Sequence, residues 1–315
     1  MTETKTISYF SYKGGAGRST LAYNTIPLLA NNHFRPTKES PMIILDMDID
    51  SCGMSYLLGV EDRVTDENCV QNLLENGCSH EATVSISNNP TFKNLCPVGN
   101  KFGYYDNDAI LFMPAKDIKN VDDLKRFNYN DANNPFEERL RSFVSVCKNH
   151  NVPAIIFDCA VGNTAVANAT NRVSDIMVCC MRPTIQFVNG TVRYLSSLDS
   201  TEASPLNGSP TEIIIVPNVV PQEDIVIDNQ RYPLQAINHI KNKLQPLVGN
   251  RSIVDEIQYD MDMLDSFEFG IPAVKSFMWR EGQLYTQADR DENEEIVLQR
   301  YIKLANIIYS HCDED

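Results

Sequence analysis

Basic residues are scarce in this sequence: 27 lysines and arginines face 42 aspartates and glutamates over 315 residues, a formal charge of −15. That balance works against a chain that coats nucleic acid or anionic lipid by bulk attraction, and leaves room only for a local basic patch. Long apolar runs are missing too. No stretch approaches the roughly 18 apolar residues that a membrane-crossing helix needs, and residues 1–9 are polar, without the apolar centre of a secretion signal. C-x-x-C pairs are also absent. The nine cysteines are an odd, scattered set and the five histidines fall at unrelated spacings, so neither a disulfide framework nor a zinc site is expected. Together these absences predict a cytoplasmic protein with reduced thiols and no membrane segment. What remains is an ordinary globular composition, 43% hydrophobic and 22% charged, long enough for a sizeable core.

Short apolar runs alternate with longer amphipathic stretches. Residues 6–11, 42–46, 109–113, 154–157, 176–180 and 213–217 read as strands, several of them continuous runs of Val, Ile, Leu, Met and Phe, as in strands covered on both faces. Helices are predicted over 19–31, 136–150, 164–172, 190–198 and 235–244. This order predicts an α/β fold, a predominantly parallel central sheet with helices on both faces. No linker marks a boundary, so 1–315 reads as a single domain with polar loop insertions around 99–134 and 222–233. A closing helix over 294–308 places Ile296, Val297, Tyr301, Leu304 and Ile308 near one face. Its acidic flanks do not suit a membrane surface. Pro27, inside the first helix, removes a donor and is expected to bend or shorten it.

The most informative residues follow the first strand: Tyr12-Lys13-Gly14-Gly15-Ala16-Gly17-Arg18-Ser19-Thr20, leading directly into a helix. A glycine-rich turn between strand and helix lets successive backbone N–H groups converge on phosphate oxygens, the helix N-terminus adds its positive end, and a hydroxyl such as Ser19 can reach Mg²⁺. The Walker A pattern G-x-x-x-x-G-K-[ST] is missed twice, with Tyr12 at the first glycine and Arg18 at the lysine. Two acidic strand ends accompany the loop. Asp46-Met47-Asp48 follows the second strand, and Asp158 ends the run Ile155-Ile156-Phe157, with Gly162 beyond it. A carboxylate at the end of a buried strand is placed to hold Mg²⁺, usually through water. Two loop carboxylates capping a turn are the plainer reading of Asp46 and Asp48.

Lys13-Gly14-Gly15-Ala16-Gly17-Arg18-Ser19 resembles the deviant Walker A motif, K-G-G-x-G-K-[ST], of the P-loop ATPases typified by ParA, MinD and the nitrogenase iron protein. It is most similar to the branch with arginine at the last basic position. The resemblance implies roles residue by residue. Gly14, Gly15, Ala16, Gly17, Ser19 and Thr20 would hold the phosphates of ATP. Lys13 would be the signature lysine, reaching nucleotide phosphates across a dimer interface, and Arg18 would stand for the Walker lysine. Asp48 would orient or activate the attacking water, Ser19, Asp46 and Asp158 would serve Mg²⁺, and Gly162 would sense the γ-phosphate. Asn218, ending Ile213-Ile214-Ile215-Val216-Pro217, would meet the adenine. Arginine keeps the charge but changes the donor geometry, so ATP binding follows more readily than rapid hydrolysis.

The likeness continues through Met263-Leu264-Asp265-Ser266 and Phe269-Gly270-Ile271-Pro272 and implies a slow ATPase that works as a nucleotide-dependent homodimer and controls a partner in positioning, partition, or conflict and signalling. A catalytically weak nucleotide-binding scaffold is the alternative. A tyrosine-kinase-like phosphotransferase fits less well, because the final stretch holds only Tyr301 and Tyr309. Cys96 and Cys159 lack the ligand loops of the iron–sulfur branch. From Arg251 onward 6 basic residues meet 15 acidic ones, which disfavours nonspecific DNA binding and favours a protein partner.

Overall fold

The computed structural model describes residues 3–78, 86–128, 135–200, 212–220, 225–227, 230–232, 242–243, 270–278 and 282–313. The helix expected over 235–244 and the segment 263–266 lie almost wholly outside these residues.

Eight strands form the main sheet: β1 (Lys5–Phe10), β2 (Met42–Asp46), β3 (Cys96–Pro97), β4 (Ile110–Met113), β5 (Ala154–Asp158), β6 (Ile176–Met181), β7 (Glu212–Val220) and β10 (Ile271–Pro272), in the order β10-β7-β6-β1-β5-β2-β4-β3. Every pairing is parallel except that of β3 with β4. β1, β2, β5 and β6 are buried along their whole length, which is why their sequences are unbroken apolar runs rather than alternating ones. Alternate residues feed two cores. Ile43, Leu45, Ile155 and Phe157 pack on one face, and Met42, Ile44, Ala154 and Ile156 on the other.

Among the described residues the helices are α1 (Arg18–Leu28), α2 (Gly53–Leu58), α3 (Val70–Asn76), α4 (Val121–Asn128), α5 (Phe136–Asn149), α6 (Ala165–Arg172), α7 (Ile185–Ser200) and α8 (Glu292–Asp313). Helix α4 lies inside a stretch that the sequence assigned to loops. Asn120 caps it, its side chain accepting from the N–H of Asp122, while Asp122 and Asp123 in the first turn and Lys125 and Arg126 in the last suit the helix dipole. Phe127 anchors it in the core. In the other predicted loop, β8 (Ile225–Ile227) and β9 (Gln230–Tyr232) pair as an antiparallel ribbon.

α8 packs against α1 through Val297, Tyr301, Leu304 and Ile308, spaced 4, 3 and 4 apart. Ile296 is not on that face: it is 45% exposed, on the stripe shared with Arg300 and Lys303. Pro27 shapes α1 as expected, and the helix passes into a wider π-helical turn over Leu29–Phe34. Because Pro27 has no N–H, the carbonyl of Tyr23 loses its helical donor, and the side-chain amide of Gln283 donates to it at 3.1 Å. Asn24 completes the dock, accepting from the N–H of Leu284 and donating to the carbonyl of Gly282.

β1 lies between β5 and β6, so the chain leaves it in one direction and returns on the other side. The carboxyl ends of strands at such a reversal form a crevice, where open α/β sheets bind ligands. No helix among the described residues is long and apolar enough to cross a membrane.

Candidate functional site

The glycine-rich loop fills the crevice between Phe10 and Arg18. Gly15 and Gly17 have φ of +81° and +80°, backbone that disfavours side chains. A Cβ added to Gly14 or Gly15 would meet nothing within 4 Å, and both residues are exposed with Lys13, so the outer face of the loop is open. Its inner face is pinned. Asn218, 5% exposed at the end of β7, donates its amide to the carbonyls of Ala16 at 2.8 Å and Gly17 at 3.3 Å, and the Cys180 thiol also donates to Ala16. A Cβ on Gly17 would lie 2.7 Å from that amide nitrogen.

Beside the loop, β2 and β5 end on register partners, Asp46 and Asp158, both fully buried. Asp46 accepts from the N–H and hydroxyl of Ser55 at 2.9 and 2.7 Å through one oxygen, and from the N–H of Asp48 at 3.2 Å through the other. Burial, and then the neighbouring Asp158, push its pKa up to about 8. Arg18, 5% exposed, turns inward to the remaining two carboxylates. Its Nε donates to Asp158 Oδ1 at 2.7 Å and its Nη2 to Asp48 Oδ2 at 2.6 Å. Ser51 donates to the same Asp48 oxygen. Burial opposes the Arg18 charge, but Asp158 and Asp48 outweigh it and raise its pKa; burial raises that of Asp158, with Arg18 opposing.

The fold therefore brings Arg18, Ser19, Asp46, Asp48 and Asp158 together and sets Gly14–Gly17 above them. Thr20 is half-buried in the first turn of α1. Gly162, at φ +77°, donates its N–H to the carbonyl of Ser11. Lys13 stands apart on the surface, donating to Gln186 at 2.6 Å and lying 5.7 Å from the ring centre of Phe187. Several participants were given no role in the site by the sequence: Ser51, Ser55, Cys180, Gln186 and Gly190. Gly190 of α7 leaves space for the ring of Tyr12, the residue at the missing Walker glycine. Below that ring, Tyr194 stacks on Phe10 at 4.4 Å and accepts from Asn171, which in turn accepts from Ser8. None of these roles is visible as a spacing; each depends on which residues the fold brings together.

A divalent cation fits this cluster through oxygen donors. Asp158 Oδ2 is buried without a hydrogen-bond partner among the described residues, and the Ser19 hydroxyl lies beside Asp158. No three acidic, thiol or imidazole groups converge there as a ready-made cage among the described residues. Mg²⁺ held by one or two protein oxygens together with phosphates needs none.

No family model and no curated protein matches the sequence. Solved structures do. A pNOB8 ParA bound to nonspecific DNA superposes with a TM-score of 0.62 at 11% identity, covering 99% of each chain. The chain has the ParA/MinD fold. MinD in the MinC:MinD cell division complex of Aquifex aeolicus matches with a TM-score of 0.56 at 16% identity over 96% of each chain. A plasmid partition protein of Borrelia burgdorferi bound to AMPPNP gives 0.55 at 14% identity, over 96% of this chain and 99% of that one. The ParA/MinD-like α/β architecture expected from the sequence is thus the one observed.

Proposed function

We propose that residues 1–315 act as one nucleotide-binding domain, an ATP-dependent dimerisation switch that hydrolyses ATP slowly and controls a partner protein in a bacterial-type positioning, partition, or conflict and signalling system. One observation carries the reading: an open glycine-rich loop at the β1–α1 turn lies directly over three buried aspartates from the ends of β2 and β5. The AMPPNP-bound structure of the same fold supports nucleotide in the crevice, and the MinC:MinD complex supports a protein partner. The ParA on DNA keeps a DNA partner in view, against the charge of this chain.

In this reading the backbone of Gly14–Gly17 cradles the phosphates, and the helix N-terminus at Arg18 faces their charge. Asp158 and Ser19 hold Mg²⁺, which neutralises charge on the phosphates, while Asp46 serves it indirectly by ordering the loop from Asp48 to Ser55. Asp48 orients the attacking water, because phosphoryl transfer asks chiefly for positioning and charge stabilisation. Exposed Lys13 is free to swing from Gln186 toward a second subunit. The test is the mass of the purified protein with ATP, with ADP and with neither. A dimer with ATP alone is expected, and a monomer in all three states rejects the switch.

The weak-scaffold alternative draws on a specific observation too, since both Asp48 and Asp158 are engaged by Arg18 rather than open to water. ATP bound tightly without turnover would favour it.

A further inference from the structure

We infer that Arg18 is the resting site's own cation, competing with the divalent metal for the carboxylate of Asp158 and holding Asp48 at the same time. The inference rests on the nucleotide-switch reading and concerns how that site is regulated. The guanidinium is 5% exposed and spans the gap between the end of β5 and the loop after β2, with Nε on Asp158 at 2.7 Å and Nη2 on Asp48 at 2.6 Å. The guanidinium makes the two contacts through two separate nitrogens of its fork, whereas a lysine ammonium would offer a single nitrogen to both carboxylates. Arg18 thus stands where a metal held by Asp158 would draw its negative charge.

The arrangement is chemically incomplete, and the two gaps are complementary. Arg18 Nη1 is a buried donor without an acceptor, and Asp158 Oδ2 a buried acceptor without a donor, among the described residues. Buried charged atoms left unpaired are costly, and these two mark what the site is short of: an anion for the guanidinium and a cation for the carboxylate. A metal–nucleotide complex supplies both. The metal compensates Asp158, Asp48 is released toward the attacking water, and the phosphates accept the freed guanidinium.

Either half alone leaves a charge stranded. Metal without nucleotide must expel Arg18 with no anion to receive it, and nucleotide without metal must strip Arg18 from two buried carboxylates. Metal and nucleotide therefore bind together or hardly at all. A lysine at this position would couple them less tightly.

Manganese alone is the first probe, read as loss of the free-ion electron paramagnetic resonance signal. The wild-type protein is expected to take up Mn²⁺ on the order of tenfold or more weakly than Arg18→Gln in the absence of nucleotide. Adding ATP should remove that difference. Equal Mn²⁺ affinity in the two nucleotide-free proteins overturns the inference. Should Arg18→Gln not fold, the Arg18 side-chain Nε–H resonance of the wild type gives the answer. It is expected to shift with Mg²⁺ plus ATP, and not with Mg²⁺ alone or with ATP in chelator. A shift with Mg²⁺ alone, or none while a fluorescent ATP analogue is bound, overturns it. Failure of that analogue to bind under any metal condition rejects the nucleotide reading instead, and the response of the Arg18 resonance to Mg²⁺ alone still decides the role of Arg18.

Discussion

The side-chain amide of Asn218 donates to the main-chain oxygen of Ala16 at 2.8 Å, joining the end of β7 to a loop 202 positions earlier in the chain. Resemblance alone sends this asparagine to the adenine; its amide is engaged in holding the glycine-rich loop. Asn218→Ala should cost about 1–3 kcal/mol, as buried carbonyls lose their donor, read as a lower midpoint in denaturant. It should weaken ATP and GTP binding in parallel. A loss confined to ATP would return Asn218 to base recognition.

Gly190 and Tyr12 yield a second prediction. A methyl group at position 190 would overlap the Tyr12 ring, and overpacking of that kind costs about 1–3 kcal/mol. Gly190→Ala should lower the melting temperature, and adding Tyr12→Gly should recover most of the loss. If the double variant is no better than the single one, the overlap is not the cause.

Asp48 bears on turnover. If it orients the attacking water, Asp48→Ala should reduce phosphate release by about 10²–10⁴-fold while leaving a fluorescent ATP analogue bound. Unchanged release would assign hydrolysis elsewhere.

A fourth prediction concerns pH. Burial lowers the pKa of His150 from 6.5, its ring edge-on to Phe92 and its Nε2 against Asn89. The unfolded chain therefore takes up a proton that the folded protein resists. The His150 contribution to stability is full above about pH 6.5 and falls as the pH drops through that value toward the lower folded pKa. Melting curves between about pH 7.5 and 5.5 should show a smaller acid-side loss for His150→Gln than for the wild type. An identical loss would exclude His150 as a source.

Much of the fold was legible because buried parallel strands cannot hide: Ile155-Ile156-Phe157 and Ile213-Ile214-Ile215 have no solvent face to interrupt them. The two-residue strands β3 and β10 are too short to show any period, and α4 was masked by the polar residues that cap and solubilise it. At the site, spacing located the loop and the acidic strand ends. It did not reveal which way Arg18 turns, because helix position fixes the Cα and leaves a long side chain several directions. Helical spacing also misplaced Ile296, one residue off the stripe that Val297 begins. Ser51 and Ser55 were invisible for a different reason: they act by hydrogen bonds to aspartates, Ser51 from a turn and Ser55 from α2, which only the fold brings within reach.

A hydrogen atom that is missing near the start of the chain works as an address for a segment near its end. The carbonyl of Tyr23 is open to Gln283 because Pro27 brings no N–H, across a separation of 260 residues. An unbroken helix there would satisfy itself and recruit nothing. The stretch that leads into α8 would then lose one of its moorings, although no residue of that stretch had changed.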